Sequence, residues 1–118
     1  MAHVFVFGSN LAGRHGKGAA LYARQHYGAV YGVGEGRTGN AYALPTKDAN
    51  LKRLSLLQIH ANIGKFAAYA RANPNDVFIM TAVGTGLAGY SEQEIGELFF
   101  VNNLPENVFI SAKLFNIL

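Results

Sequence analysis

Val77-Phe-Ile-Met-Thr-Ala-Val83, then Gly84-Thr-Gly-Leu-Ala-Gly89, then Ser91-Glu-Gln-Glu94: the chain passes from an apolar run through a glycine-rich turn into a capping box. The run has the length of a strand, and its lack of alternation is that of a strand covered on both faces. A Ser followed three residues later by a Glu satisfies free N–H groups at a helix start reciprocally, so a helix is expected from Ser91 to about Val101. The same order occurs near the start of the chain. His3–Phe7 reads as a buried strand and leads into the loop Gly8-Ser-Asn-Leu-Ala-Gly-Arg-His-Gly-Lys-Gly18. Lys17–Tyr27 then reads as a helix of good formers stopped by Gly28.

The rest of the chain repeats the alternation. Gly28–Gly39 is dense in glycine and is expected to be a loop or an irregular hairpin. Asn40–Leu44 is a short strand ending at Pro45. Ser55-Leu-Leu-Gln58 is a second capping box, opening the longest helix, with Leu56, Ile59, Ile63, Phe66, Ala67 and Ala70 on one face until Asn73-Pro74 ends it. Val108–Ser111 is the last strand, and Ala112–Leu118 either extends it or docks as an apolar tail. Strands alternating with helices predict a single α/β domain over residues 1–118, three-layer α/β/α, with a mixed but largely parallel sheet. Ligands in such sheets bind beyond the carboxyl ends of the strands. Both glycine loops and the Pro45-Thr-Lys-Asp48 turn lie at such ends, so they are expected to converge on one crevice.

Composition narrows the class. At 118 residues with 50% hydrophobic content, the chain can build one core without staples, and it has no cysteine for disulfides or thiol chemistry. No leader-like or membrane-spanning stretch is visible, so a cytoplasmic, membrane-free protein is expected. The net charge of +3 is spread along the chain without the basic block that tracks a nucleic-acid backbone. Arg14, Lys17, Arg37 and Lys47 fall in or near glycine-rich segments, which fits either an anionic ligand or ordinary solubility. His3, His26 and His60 have no ligand spacing, so no metal site is expected, and no cofactor is implied. His15, inside the first loop, is placed to hydrogen-bond a phosphate or assist proton transfer as a neutral imidazole. Asp48 is read as a turn or capping residue.

Glycine gives a ligand close access to main-chain N–H groups, and a strand, a glycine turn and a helix N-terminus together form an anion site. Two such loops point to a diphosphate or to several anionic groups. The first loop is not a Walker A, because Arg14-His15 stands where Lys-Ser/Thr would hold phosphate and magnesium. The second matches Gly-x-Gly-x-x-Gly at Gly84, Gly86 and Gly89, with Glu106 downstream, but too little chain follows for a dinucleotide-binding half.

The order Val-Phe-Gly-Ser-Asn10, His15-Gly-Lys-Gly-Ala-Ala20 and Val83-Gly-Thr-Gly-Leu-Ala-Gly89 resembles the macrodomain family, which binds ADP-ribose, over roughly residues 4–101. The resemblance implies that Asn10 hydrogen-bonds the distal ribose and that Gly16, Lys17 and Gly18 line that ribose and its phosphate. It implies that Gly84, Thr85, Gly86, Leu87, Ala88 and Gly89 wrap the diphosphate, and that Tyr90 covers the ribose or base edge or packs in the core. Gly8, Ser9 and Thr46 complete the ligand-lining set. Pro45-Thr-Lys47 is similar to an element of the subgroup that removes terminal ADP-ribose from proteins or DNA. There the lysine is catalytic, attacking the anomeric carbon as a free amine, a form favoured by burial or by cations such as Arg14 and Lys17. Lys47, Asn10 and His15 are thus the candidate catalytic residues. The chain departs from the family at two points. No Asp precedes Asp48 to read the adenine amino group, leaving only Glu35 as a substitute, and Ala88 stands where the glycohydrolases place an acid.

The resemblance implies a protein that binds ADP-ribose or a related nucleotide and hydrolyses ADP-ribosyl bonds or ADP-ribose 1″-phosphate, with ADP-ribosylated protein or DNA as partner. Two alternatives stay open. One is a non-catalytic module that sequesters a nucleotide. The other is a structural protein of bacterial or phage origin with a vestigial crevice. Phe99, Phe100, Val101 and the Phe109–Leu118 tail suit either a homo-oligomer interface or the core.

Overall fold

The computed structural model describes residues 1–83 and 89–110. Within them lie five strands, β1 (His3–Asn10), β2 (Gly36–Thr38), β3 (Ala41–Lys47), β4 (Val77–Met80) and β5 (Val108–Ile110), and three helices, α1 (Gly18–His26), α2 (Leu56–Ala72) and α3 (Glu92–Val101). They form one mixed sheet in the order β2-β3-β1-β4-β5. Pairings of β1 with β3, β1 with β4 and β4 with β5 are parallel, and β2 pairs antiparallel with β3.

Alternation along the central strands divides the interior in two. Val4, Val6, Tyr42, Leu44, Phe78 and Met80 join a cluster with Ile59, Ile63, Phe66 and Ala70 of α2 and Ile95 and Phe99 of α3. Phe7, Ala41 and Ala43 pack instead with Ala20 and Ala23 of α1, and Phe5 lies against this second cluster. The α2 face foreseen from spacing is buried at Ile59, Ile63, Phe66, Ala67 and Ala70, while Leu56 is only half-buried. Both capping boxes form: Ser55 and Ser91 each accept from the N3 backbone N–H while the side chains of Gln58 and Glu94 reach back.

Strand limits differ from those read in the sequence. β3 continues through Pro45 to Lys47, because β2 stops at the Gly36–Ala43 pair. Pro45 therefore lies past the end of β2, where a missing N–H costs no ladder bond. A bulge follows: Ser9 pairs with Pro45 but Asn10 with Lys47. β4 ends at Met80 rather than Val83. Thr81 sends both its N–H and its Oγ1 to the Val6 carbonyl, and Val83 N–H turns back to Thr81 O at 2.8 Å. The glycine-dense segment is a hairpin arm ending in β2. Its Gly28, at φ +77, stops α1, with Ala29 N–H reaching Ala23 O at 3.2 Å. No helix among the described residues is long and apolar enough to cross a membrane.

Candidate functional site

In the order β3-β1-β4-β5 the chain leaves β1 toward β3 on one side, but leaves β4 toward β5 on the other. Such a reversal is where α/β sheets as a class bind ligands, outside the carboxyl ends of the strands, here those of β1 and β4. The first glycine loop leaves from β1, and Val83 and Gly89 bracket the second. Gly84, Thr85, Gly86, Leu87 and Ala88, the expected wrap for a diphosphate, lie outside the described residues.

The first loop is held by its own side chains. Asn10, 9% exposed, accepts at Oδ1 from Arg14 N–H (3.0 Å) and donates from Nδ2 to Arg14 O (2.9 Å), while its carbonyl accepts from Gly13 N–H (2.9 Å). An amide has two donors and a two-lone-pair acceptor, so one donor and one lone pair of Asn10 are not used by these two bonds. Gly8 pairs with Leu44 in the ladder. Buried Ser9 donates from Oγ to Gly34 O, and buried Thr46 donates to Ser9 O at 3.3 Å. Gly32 N–H donates to Gly13 O at 2.8 Å, and Leu11 N–H to Lys47 O at 3.0 Å. A Cβ on Gly34 would lie 2.3 Å from Asn10 O, and one on Gly13 would lie 2.2 Å from the Gly32 carbonyl carbon. These glycines let the hairpin arm sit against the loop, main chain on main chain.

His15 is fully buried, edge-on to Phe7 at 5.2 Å and to Tyr31 at 6.1 Å between ring centroids. Among the described residues neither ring nitrogen has a hydrogen-bond partner within bonding geometry. Burial pushes its pKa below the usual histidine value, against the nearby Val33 main chain and with help from the Arg24 charge. Gly16, Lys17 and Gly18 are exposed at the start of α1. Lys17 is the N-cap but makes no side-chain capping bond, and no acid occupies the first turn. Among the described residues no side chain is shown capping the first N–H groups of α1.

Lys47 pairs across the sheet with Asn10, so two residues 37 positions apart in the sequence stand side by side. Beyond Lys47 the chain makes a tight return. Asp48 Oδ1 accepts from Asn50 N–H (2.9 Å) and Lys52 N–H (3.0 Å), Leu51 takes φ +64, and Arg53 forms an antiparallel bridge back to Lys47. Asp48 is the turn-former that the sequence indicated.

Arg53 carried no signal in the sequence. Its guanidinium lies 4.5 Å over the ring of Tyr90, whose hydroxyl donates to Leu54 O at 2.7 Å. Gly89 (φ +83) precedes Tyr90, and a Cβ there would lie 4.0 Å from Arg53 Nη1. Arg37 and Glu35, in contrast, are taken up elsewhere. Arg37 Nη1 bonds Asp76 Oδ2 at 2.7 Å, and Glu35 stands 3.8 Å from Lys65. Among the described residues no group of three His, Cys, Asp or Glu is placed to hold a metal ion. A separate groove of about 440 Å³ lies at the other end of the sheet, lined in part by Arg71, Asp76, Asn107 and Phe109. No family model, curated protein or solved structure matches the chain.

Proposed function

We propose that the chain is a short macrodomain-like α/β protein of three layers, α/β/α, that binds ADP-ribose or a related nucleotide beyond the carboxyl ends of β1, β3 and β4. The observation that carries this reading is the cross-strand pairing of Asn10 with Lys47 at the carboxyl ends of β1 and β3. Two candidate site residues from distant stretches of sequence, Asn10 on β1 and Lys47 on β3, thus stand side by side. The open start of α1, with Lys17 and Arg14 nearby in sequence, adds N–H donors suited to a phosphate. Hydrolysis of an ADP-ribosyl bond by Lys47 is the catalytic extension. Binding without turnover is the second reading, favoured by Asp48, whose Oδ1 is engaged by its own turn.

Titration calorimetry with ADP-ribose, NAD, ADP and AMP tests binding, with heat for ADP-ribose expected. Absence of both heat and thermal stabilisation with all four overturns it. Turnover is tested on ADP-ribosylated protein and DNA with Lys47→Ala and Asn10→Ala. Loss of hydrolysis in both is expected if the parent hydrolyses, and retention in both removes them from the reaction.

A further inference from the structure

Lys47 and Arg53 are bridge partners, and such partners hold their Cβ atoms about 4.5–5.5 Å apart. Like charges placed directly opposite each other destabilise a strand pair. Among the described residues neither cation lies within ion-pair distance of a carboxylate. Asp48 caps its turn, and Glu94, which feels the charge of Arg53, gives its Oε1 to Ser91 N–H at 3.0 Å. Arg53 is nevertheless held in place: one face of its guanidinium rests on Tyr90, and the Tyr90 hydroxyl ties that ring to Leu54 O. A guanidinium stacked through its face keeps its N–H edge for a forked bond to phosphate. That edge lies beside Gly89, at the exit of the second glycine loop.

We propose that Arg53, oriented by Tyr90 and acting beside Lys47, is an anion clamp that binds the diphosphate of the ligand. A diphosphate diester carries two negative charges, matching in number the two cations on this bridge. Arg53 would then be a specificity-determining residue, favouring ligands with a diphosphate over those with a single phosphate. The inference rests on the nucleotide reading of the crevice for the identity of the ligand, and on the Lys47–Arg53–Tyr90 geometry for the clamp itself.

The test measures binding of ADP-ribose, AMP and inorganic pyrophosphate, with melting temperatures of the free proteins, for the parent, Arg53→Gln, Arg53→Lys, Tyr90→Phe, Tyr90→Leu and a remote charge control, Lys65→Gln. Arg53→Gln is expected to weaken ADP-ribose and pyrophosphate at least tenfold and AMP less, while leaving the free protein as stable as the parent. Arg53→Lys should fall between, Tyr90→Phe should hold affinity within a few-fold, Tyr90→Leu should lose it, and Lys65→Gln should change nothing. If the parent binds ADP-ribose and Arg53→Gln binds it equally, the clamp is overturned and the nucleotide reading survives. If the parent binds no nucleotide but binds pyrophosphate through Arg53, the clamp survives and the nucleotide reading falls. If the parent binds neither, both fall.

Discussion

Arg37 and Arg53 carry the same guanidinium and each meets a tyrosine, yet they sit at opposite ends of the parallel strands in opposite circumstances. Arg37 is engaged on all sides. It bonds Asp76 Oδ2 at 2.7 Å, Gly39 O at 3.1 Å, Asn40 Oδ1 at 3.4 Å and Tyr69 Oη at 3.5 Å. Its neighbours are engaged as well. Asp76 Oδ1 accepts from Ala2 N–H, and Asn107 Nδ2 lies 2.9, 3.0 and 3.1 Å from the carbonyls of Ala70, Asn73 and Asp76. Arg53 meets one aromatic face and no carboxylate among the described residues. The amino end of the sheet, though it holds a groove, has its polar groups turned on one another. At the carboxyl end Ser9, Asn10, Thr46 and Asp48 are hydrogen-bonded too, but Lys47 and Arg53 meet no carboxylate among the described residues. Position in the pairing network, rather than residue type, separates the structural Arg37 from Arg53, the arginine proposed to bind.

The comparison breaks most visibly at Arg37. Arg37→Gln leaves Asp76 without its shortest partner and frees Tyr69, Gly39 and Asn40 together. A fall in Tm of roughly 4–8 °C is expected by calorimetric melting, with ligand affinity unchanged. If instead affinity falls and Tm holds, the assignment of the two arginines is reversed.

Asp76 sharpens the same contrast through pH. The Arg37 side-chain bond, then the Ala2 N–H, hold its carboxyl below the ordinary aspartate value. A carboxylate depressed in the folded state binds fewer protons there than in the unfolded chain. Its contribution is therefore complete above the unfolded value, about 3.9, and is lost as pH falls through the lower folded value. Melting of the parent and of Arg37→Gln from pH 7 to pH 2 is expected to give a constant gap in Tm down to about pH 4–5, narrowing below. A gap that stays constant to pH 2 removes the ion pair from the explanation.

How much of this was legible in the sequence follows the range of the interactions. Ser55 with Gln58, Ser91 with Glu94 and Gly28 after α1 are local devices, written in spacings of a few residues, and they occur where the spacing put them. The buried stripe of α2 was legible for the same reason. Strand ends were not, because they depend on partners: Pro45 stays in β3 only because β2 stops early, and β4 ends where Thr81 turns its hydroxyl onto Val6 O. Of the candidate site, Asn10 and Lys47 were found by motif and meet across strands. Arg53 was missed because its signal is a stacking contact 37 residues along the chain, on a ring read as a cover for the ribose or base edge or as a core residue. Arg37 was grouped with the crevice by its glycine neighbours, although its partners come from the far end of the sheet.

His15 extends the contrast between the two ends into the interior. It is fully buried and, among the described residues, neither ring nitrogen is paired, unlike the buried Ser9, Asn10 and Thr46 beside it. Desolvation lowers its pKa, so between the unfolded value of about 6.5 and the folded one the unfolded chain binds a proton that the folded chain refuses. Stability from this source is complete above about pH 6.5 and declines as pH falls toward the folded value. His15→Leu keeps an apolar body between Phe7 and Tyr31 and removes both nitrogens. It is expected to be at least as stable as the parent at pH 8, with a gain of about 1 kcal/mol from the unmade hydrogen bonds. The gain should grow at pH 5, where melting of the parent falls and that of the variant does not. A variant less stable than the parent at every pH would mean that the imidazole has a partner. The carboxyl end would then be as fully paired in its interior as the amino end, and the contrast would be confined to the half-buried Lys47 and the exposed Arg53.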